Sequence, residues 1–308
     1  MSGDGVILEL MRVAVIDVGS NTARLLVANV SDDGAVLPVA QEREYLRLGA
    51  EIERTGTLSA ERMEAAAETC RRFALRATEL GSARAVVIVT APGRQAGAGA
   101  ELTEALGRAT SLPVRVLTGE DEGRLAYDGA VAEATGVLPE VVAVVDVGGG
   151  STEIAVGTPL LGAAWIRSAD LGSLRLTRAH LPGDPPPPAE VAAATDAVVA
   201  ALAGLRPPSP DLALAVGGSA RALARIVGRR FDADDLDRAV KLLSRRPAAK
   251  AVRSFGIGAE RAETLLAGAL VLAGASRLLG TAFELGRGGV REGAALELAG
   301  AHEIARAA

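Results

Sequence analysis

Apolar residues along this chain return with two different periods. Short β-branched runs that end in a polar or acidic residue come in sets of three. After each set come longer stretches in which apolar side chains recur every three or four residues. The first set predicts strands over residues 12–17, 24–30 and 36–47, with the Asp32-Asp33-Gly34 segment as a turn before the third. A helix is expected from a Ser59 cap to Leu80: Leu58 can staple against Met63, and Met63, Ala67, Cys70, Phe73, Ala77 and Leu80 share one face. On that spacing Cys70 is a core side chain. Strands at 85–89 and 113–117, and helices at 101–109 and 120–134, complete this half.

The second half repeats the plan. Strands are predicted over 141–146, 153–157 and 160–167, and a helix over 171–180 runs into the proline loop 185–188. Helix resumes at 190–202. A strand over 212–216 enters a Gly217-Gly218-Ser219 turn, followed by helices at 220–228 and 234–244. The Ala- and Leu-rich stretch 261–279 reads as the buried helix of this half, followed by a strand over 281–285. A last helix, 292–308, is placed to cross back onto the first half. Strands alternating with helices predict an α/β fold with mixed sheets in two units, 1–128 and 129–308, with a hinge near 125–136. Residues 1–10 read as a poorly ordered extension.

Composition narrows the chemistry. A net charge of -5 and 2% aromatic residues argue against nucleic acid as a partner. One cysteine and two histidines leave no zinc-type ligand set, so any metal must sit on oxygen. No apolar run approaches the roughly 20 residues of a membrane span, and no basic leader precedes one. The expected location is the cytoplasm.

Two stretches stand out against this background: Val15-Ile16-Asp17-Val18-Gly19-Ser20-Asn21-Thr22 and Val144-Val145-Asp146-Val147-Gly148-Gly149-Gly150-Ser151-Thr152-Glu153. Each ends a buried strand in an aspartate, then turns through glycine and hydroxyl residues. Glycine lets backbone N–H groups approach a phosphate, and Ser20, Asn21, Thr22, Ser151 and Thr152 can add hydrogen bonds. One such turn alone fits a plain hairpin; two with the same Asp-Val-Gly signature predict facing walls of one phosphate cleft. Asp17, Asp146 and Glu153 would then suit Mg²⁺. The Thr118–Arg124 segment, TGEDEGR, reads either as a capped helix start with solvated acids or as the source of a general base. Arg94 is open to two readings, solvated loop arginine or phosphate clamp, and Arg24, which opens a strand just past the first loop, carries the same ambiguity.

Taken in series, these segments resemble the exopolyphosphatase and guanosine-pentaphosphate phosphatase family of the actin, sugar-kinase and heat-shock ATPase superfamily. The resemblance runs from Met11 onward through VAVIDVGSNTARLLV, LRLGAEI, VLTGEDEGRLAY, VVDVGGGSTEIAVG, LGSLRLT, the Val216 glycine turn and Arg291-Glu292-Gly293. It implies two ribonuclease H-like half-domains with mixed sheets flanking a central cleft. It also implies a catalytic Glu122. The phosphate contacts it implies come from Gly19, Ser20, Asn21, Thr22, Arg94, Gly148, Gly149, Gly150, Ser151 and Thr152, with Mg²⁺ or Mn²⁺ at Asp17, Asp146 and Glu153. The implied substrate is inorganic polyphosphate; guanosine pentaphosphate and a non-catalytic sensor are the alternatives, and a homodimer is one assembly this reading allows. The chain departs from the family pattern around Arg94, where it reads Thr90-Ala91-Pro92-Gly93-Arg94-Gln95-Ala96, with Ala98 beyond.

Overall fold

Strand β1 (Leu10–Val18) sets the centre of the first half, with Val13, Ala14, Val15 and Ile16 all inaccessible to solvent. Burial on both faces requires cover on both faces, and the chain supplies it in layers. The molecule is described here by a computed structural model covering residues 10–94, 97 and 99–300. After β1 come β2 (Thr22–Ser31), β3 (Val36–Tyr45), α1 (Leu48–Thr55), α2 (Ala60–Glu79), β4 (Arg84–Val89), α3 (Ala91–Arg94), α4 (Gly99–Thr110), β5 (Val114–Val116) and α5 (Gly119–Ala132). The second half runs β6 (Val142–Val147), β7 (Thr152–Thr158), β8 (Gly162–Ala169), α6 (Ser173–His180), α7 (Pro188–Leu202), β9 (Leu212–Val216) and α8 (Gly217–Val227). It closes with β10 (Arg230–Phe231), α9 (Ala233–Leu243), α10 (Ala248–Phe255), α11 (Ala259–Glu263), α12 (Leu265–Leu279), β11 (Phe283–Leu285) and α13 (Val290–Ala299).

The sheets are built alike. In the order β3-β2-β1-β4-β5 the first three strands are antiparallel and the last two join in parallel. The second sheet, β10-β11-β9-β6-β7-β8, repeats that arrangement around β6 and adds β10 at its edge. These are the two expected ribonuclease H-like half-domains with mixed sheets.

Between the sheets lie two helices, each packed on the sheet of the other half. Helix α5 rests on β6, β7 and β8, and α13 rests on β1, β2 and β4. They cross at glycines. A Cβ on Gly129 would lie 2.2 Å from Gly289 O, and one on Gly293 would lie 2.0 Å from Leu125 O, so only backbone fits at the crossing. Arg115 and Arg124 pair with Glu297 of α13, and Arg84 donates to Leu298 O at 2.9 Å. Helix α5 runs through the expected division at residues 128 and 129.

Several elements differ from expectation. The third strand ends at Tyr45, and Leu48, Gly49 and Ile52 form the buried face of α1 instead of a strand end. Its N-cap, Arg47, sits in the left-handed region at φ 54° and makes no side-chain cap, so no familiar start signal marks it. The helix expected over 261–279 breaks at Thr264 into α11 and α12, which takes Arg261 out of the core. Leu10, expected in a disordered extension, already belongs to β1, while residues 1–9 and the final 301–308 of the expected C-terminal helix lie outside the described residues. Cys70 is fully buried, and burial pushes its thiol up to about 12, as a core side chain requires.

Candidate active site

The two glycine loops face each other across a cavity of about 110 Å³. Each loop is closed by the same hydrogen bond: the Gly19 N–H donates to Thr22 O at 2.9 Å, and the Gly148 N–H donates to Ser151 O at 3.0 Å. The loop carbonyls are occupied by the helix that follows the third strand of each half. Gly49 N–H donates to Ser20 O at 2.8 Å, and Leu174 N–H donates to Gly149 O at 2.9 Å. With their carbonyls held from behind, the loops leave the amides of Ser20, Asn21, Gly149 and Gly150 without a hydrogen-bond partner among the described residues, at the cavity wall.

Of the expected site residues, Asp17, Gly19, Ser20, Asn21, Thr22, Glu122, Asp146, Gly148, Gly149, Gly150 and Ser151 line this cavity. Asp17 and Asp146 end β1 and β6, and burial raises the pKa of both. Arg24 and Arg291 hold Asp17 down against that rise, and Arg221 and Arg24 do so for Asp146. Gly217 stands at φ +83°, and a Cβ there would lie 2.4 Å from Asp146 Oδ1; only glycine lets β9 turn into α8 beside that carboxylate.

The three acids at the start of α5 have separated fates. Glu120 is exposed. Asp121 completes a capping box with Thr118: the Thr118 hydroxyl accepts from Asp121 N–H at 3.0 Å, and Asp121 Oδ2 accepts from Thr118 N–H at 3.2 Å. Glu122 turns inward and is 7% exposed. Burial pushes it up to about 7, against the opposing pull of Arg94. Arg94 donates to Glu122 Oε2 at 2.8 Å, to Leu117 O at 2.9 Å and to Ser151 Oγ at 3.2 Å, joining α5 to the second loop. Pro92, the departure from the family pattern, lies in the short helix α3 and leaves Arg94 in this bridge; Gln95, Ala96 and Ala98 lie outside the described residues.

Three expected contacts are not brought to the cavity wall: Arg94, held in the bridge just described, does not line it, and neither do Thr152 and Glu153. Thr152 is fully buried and donates its hydroxyl to Leu171 O. Glu153, 1% exposed, accepts from Ser168 Oγ at 2.7 Å; burial and the neighbouring Glu122 charge raise it well above an ordinary carboxyl. Arg24, open on sequence to the same two readings as Arg94, does line the cavity; Arg221, Arg261, Arg291 and Glu292 line it too, although the spacing of the chain does not single them out. Arg221 follows the Val216 glycine turn and Arg291 and Glu292 belong to the Arg-Glu-Gly segment, so those motifs carried the available signal. Arg261 had none.

What this arrangement offers is a polar pocket with free amides and guanidiniums for phosphate, two strand-end carboxylates for a hard cation, and one buried carboxyl of raised pKa for a proton. Similarity points the same way. Residues 26–302 match the model of the Ppx/GppA phosphatase family. The chain is 32% identical over 300 residues to exopolyphosphatase 1 of Mycobacterium tuberculosis, covering 92% of this chain and 87% of that protein. The crystal structure of the Aquifex aeolicus Ppx/GppA family member superimposes with a TM-score of 0.80 at 26% identity, covering 94% of this chain and 97% of that one. An exopolyphosphatase structure from Cytophaga hutchinsonii shares the fold, with a TM-score of 0.83 at 20% identity over 94% of this chain and 98% of that one. This chain belongs to the Ppx/GppA phosphatase family.

Proposed function

We propose that the protein is an exopolyphosphatase, a phosphoanhydride hydrolase that removes the terminal phosphate of inorganic polyphosphate. The observation that carries this reading is Glu122, a buried carboxyl of raised pKa facing two phosphate-sized loops, in a chain that aligns over 92% of its length with an exopolyphosphatase. In this reading the terminal phosphate lies between the loops, held by the amides of Ser20, Asn21, Gly149 and Gly150. Glu122 orients a water and takes its proton as the new P–O bond forms, and the bond to the bridging oxygen breaks, leaving a chain one phosphate shorter. Arg94 keeps Glu122 aimed through its bond to Oε2 and reaches toward the phosphate from Ser151.

The donor set fits Mg²⁺ or Mn²⁺. Asp17 and Asp146 are hard oxygen ligands whose ionisation burial makes costly, with Asp146 adding to that cost at Asp17, and a divalent cation would relieve it. Among the described residues no group of three or more His, Cys, Asp or Glu forms a closed ligand set. An ion here would take one or two carboxylates and complete its shell with water and phosphate oxygens, as Mg²⁺ usually does. Such an ion would neutralise charge that develops on the transferred phosphate. Glu153 falls outside that set in this reading, because Ser168 and the protein interior already enclose it. The two units divide near residues 128 and 129, with a hinge at 125–136 that lets the loops close on substrate.

The test is phosphate release from long-chain polyphosphate and from guanosine pentaphosphate, measured in parallel with and without Mg²⁺. The reading predicts the higher kcat/KM on polyphosphate and dependence on the metal. Release from guanosine pentaphosphate alone would reassign the substrate. Tight binding of both with no turnover would make the protein a sensor. Among the described residues no helix is long and apolar enough to cross a membrane, which accords with the cytoplasmic location in this proposal.

A further inference from the structure

We propose that an arginine-lined hollow beside the cleft holds the distal phosphates of the substrate, giving the chain being shortened a track outward over β3 and the enzyme a preference for long chains. The inference rests on the exopolyphosphatase reading of the cleft. The hollow measures about 720 Å³, far larger than the cleft, and is continuous with it: Arg24, Arg221, Arg261 and Arg291 line both. Beyond these, Arg43, Arg225 and Arg287 line the hollow alone.

Strand register gives the track its direction. Asp17 of β1 stands opposite Arg24 of β2, and Arg24 stands opposite Arg43 of β3. Neighbouring strands lie about 4.8 Å apart, so this row steps from the cleft to the sheet edge one guanidinium per strand. The opposite wall comes from α8, α11 and the segment that leads into α13. Exposure rises along the way: Arg24, Arg261 and Arg291 are half-buried, whereas Arg43 and Arg287 are exposed.

Acids offset these charges chiefly at the inner end, where Asp17, Asp146 and Glu292 act on Arg24, Arg221, Arg261 and Arg291. Among the described residues Arg24, Arg43, Arg221, Arg225, Arg261 and Arg287 make no ion pair, and Arg291 reaches only its neighbour Glu292 at 3.5 Å. Elsewhere in this acidic chain arginines find acids readily, as Arg71 with Glu68 and Arg238 with Asp235 show. Glu42, at the rim of the hollow, is paired with Arg76. At the inner end burial first, and then the neighbouring Arg291 charge, bring Arg24 down to about 10. Seven arginines gathered around fewer acids favour a polyanion, and the energy gained grows with each phosphate they meet. A nucleobase has no open platform here. Tyr45 is the sole aromatic lining residue, and Arg43 lies over its ring at 5.1 Å.

The test uses the full chain carrying Arg43→Gln and Arg287→Gln together, both exposed side chains that anchor no helix end; Arg225 is left in place because it holds Phe255 O and Gly256 O. KM and kcat are measured on tripolyphosphate and on long-chain polyphosphate, and binding of long-chain polyphosphate is measured in a Glu122→Gln background. The expected result is a KM for long chains that rises about tenfold more than that for tripolyphosphate, with the effect in KM and not in kcat. The slope of log KM against log salt should become shallower by about one for each guanidinium removed, and Arg43→Lys with Arg287→Lys should restore most of it. Equal effects on both substrates, or none on long chains, would overturn the track. If the wild type hydrolyses neither polyphosphate but the Arg43→Gln/Arg287→Gln pair still weakens long-chain binding in the Glu122→Gln background, the track stands and the assigned activity falls.

Discussion

Asp17 and Asp146 occupy the same place in two strand–loop–strand units that share a closing hydrogen bond, a following antiparallel strand and a supporting helix. Seven residues further on, directly across the ladder, the first unit carries Arg24 and the second carries Glu153. The next strand carries Arg43 in one and Ser168 in the other. One row therefore continues outward in cations, the other in an acid and its hydroxyl donor. Common geometry fixes where a phosphate can sit, and the side chains opposite the aspartates decide what each wall does with it. Under the proposed reading the first wall holds the polyanion and the second, with Glu122 packed against it from α5, handles the proton.

Removing the feature the walls share should have the largest effect. Asp146→Asn takes away one of two candidate cation ligands and is expected to lower kcat by about 10²–10³-fold, with part of the loss recovered at high Mg²⁺. Addition of EDTA to the wild type should give a comparable loss. A variant with wild-type activity at low Mg²⁺ would remove Asp146 from the metal site.

The second wall makes a prediction in pH. Glu122 must be ionised to accept a proton, and burial raises it to about 7, so kcat should climb with pH up to that point and level off above it. At one unit below, the rate should be about a tenth of the plateau. The same shift means that the folded protein binds the Glu122 proton more tightly than the unfolded chain does. Stability should therefore fall as pH rises from the ordinary 4.5 toward 7, a slope that Glu122→Gln would flatten. Denaturant midpoints across that range check the sign.

For the first wall the expected change is in binding. Arg24→Gln should raise KM for polyphosphate by about tenfold with less effect on kcat, and it should weaken the salt dependence. If the loss were confined to kcat, the division of labour between the walls would be wrong. Smallest in its effect on chemistry, Gly293→Ala should act on assembly of the walls: its Cβ would meet Leu125 O at 2.0 Å, and overpacking there should cost about 1–3 kcal/mol of stability. Thermal unfolding reads this directly.

The sequence makes the paired walls legible because an acid, a valine and a glycine at the end of a buried strand form a local pattern, written twice. Glu122 is legible only through its resemblance to a family motif; its spacing equally fits a cap, and Asp121 does in fact cap the helix. Arg221 and Arg261 are hidden for another reason. All but two of the 33 basic residues are arginine, so no single one stands out, and their convergence depends on contacts between distant segments. Helix α1 goes unread because Arg47 supplies its start with a left-handed backbone and no capping side chain. The glycine crossing of α5 and α13 is likewise a property of two helices 150 or more residues apart, not of either stretch alone.

The most direct test of the account is phosphate release from long-chain polyphosphate with Mg²⁺ present, by the wild type and by Glu122→Gln side by side. The account predicts release by the wild type and a loss of about 10²-fold or more in the variant. Near-normal release by Glu122→Gln would contradict it.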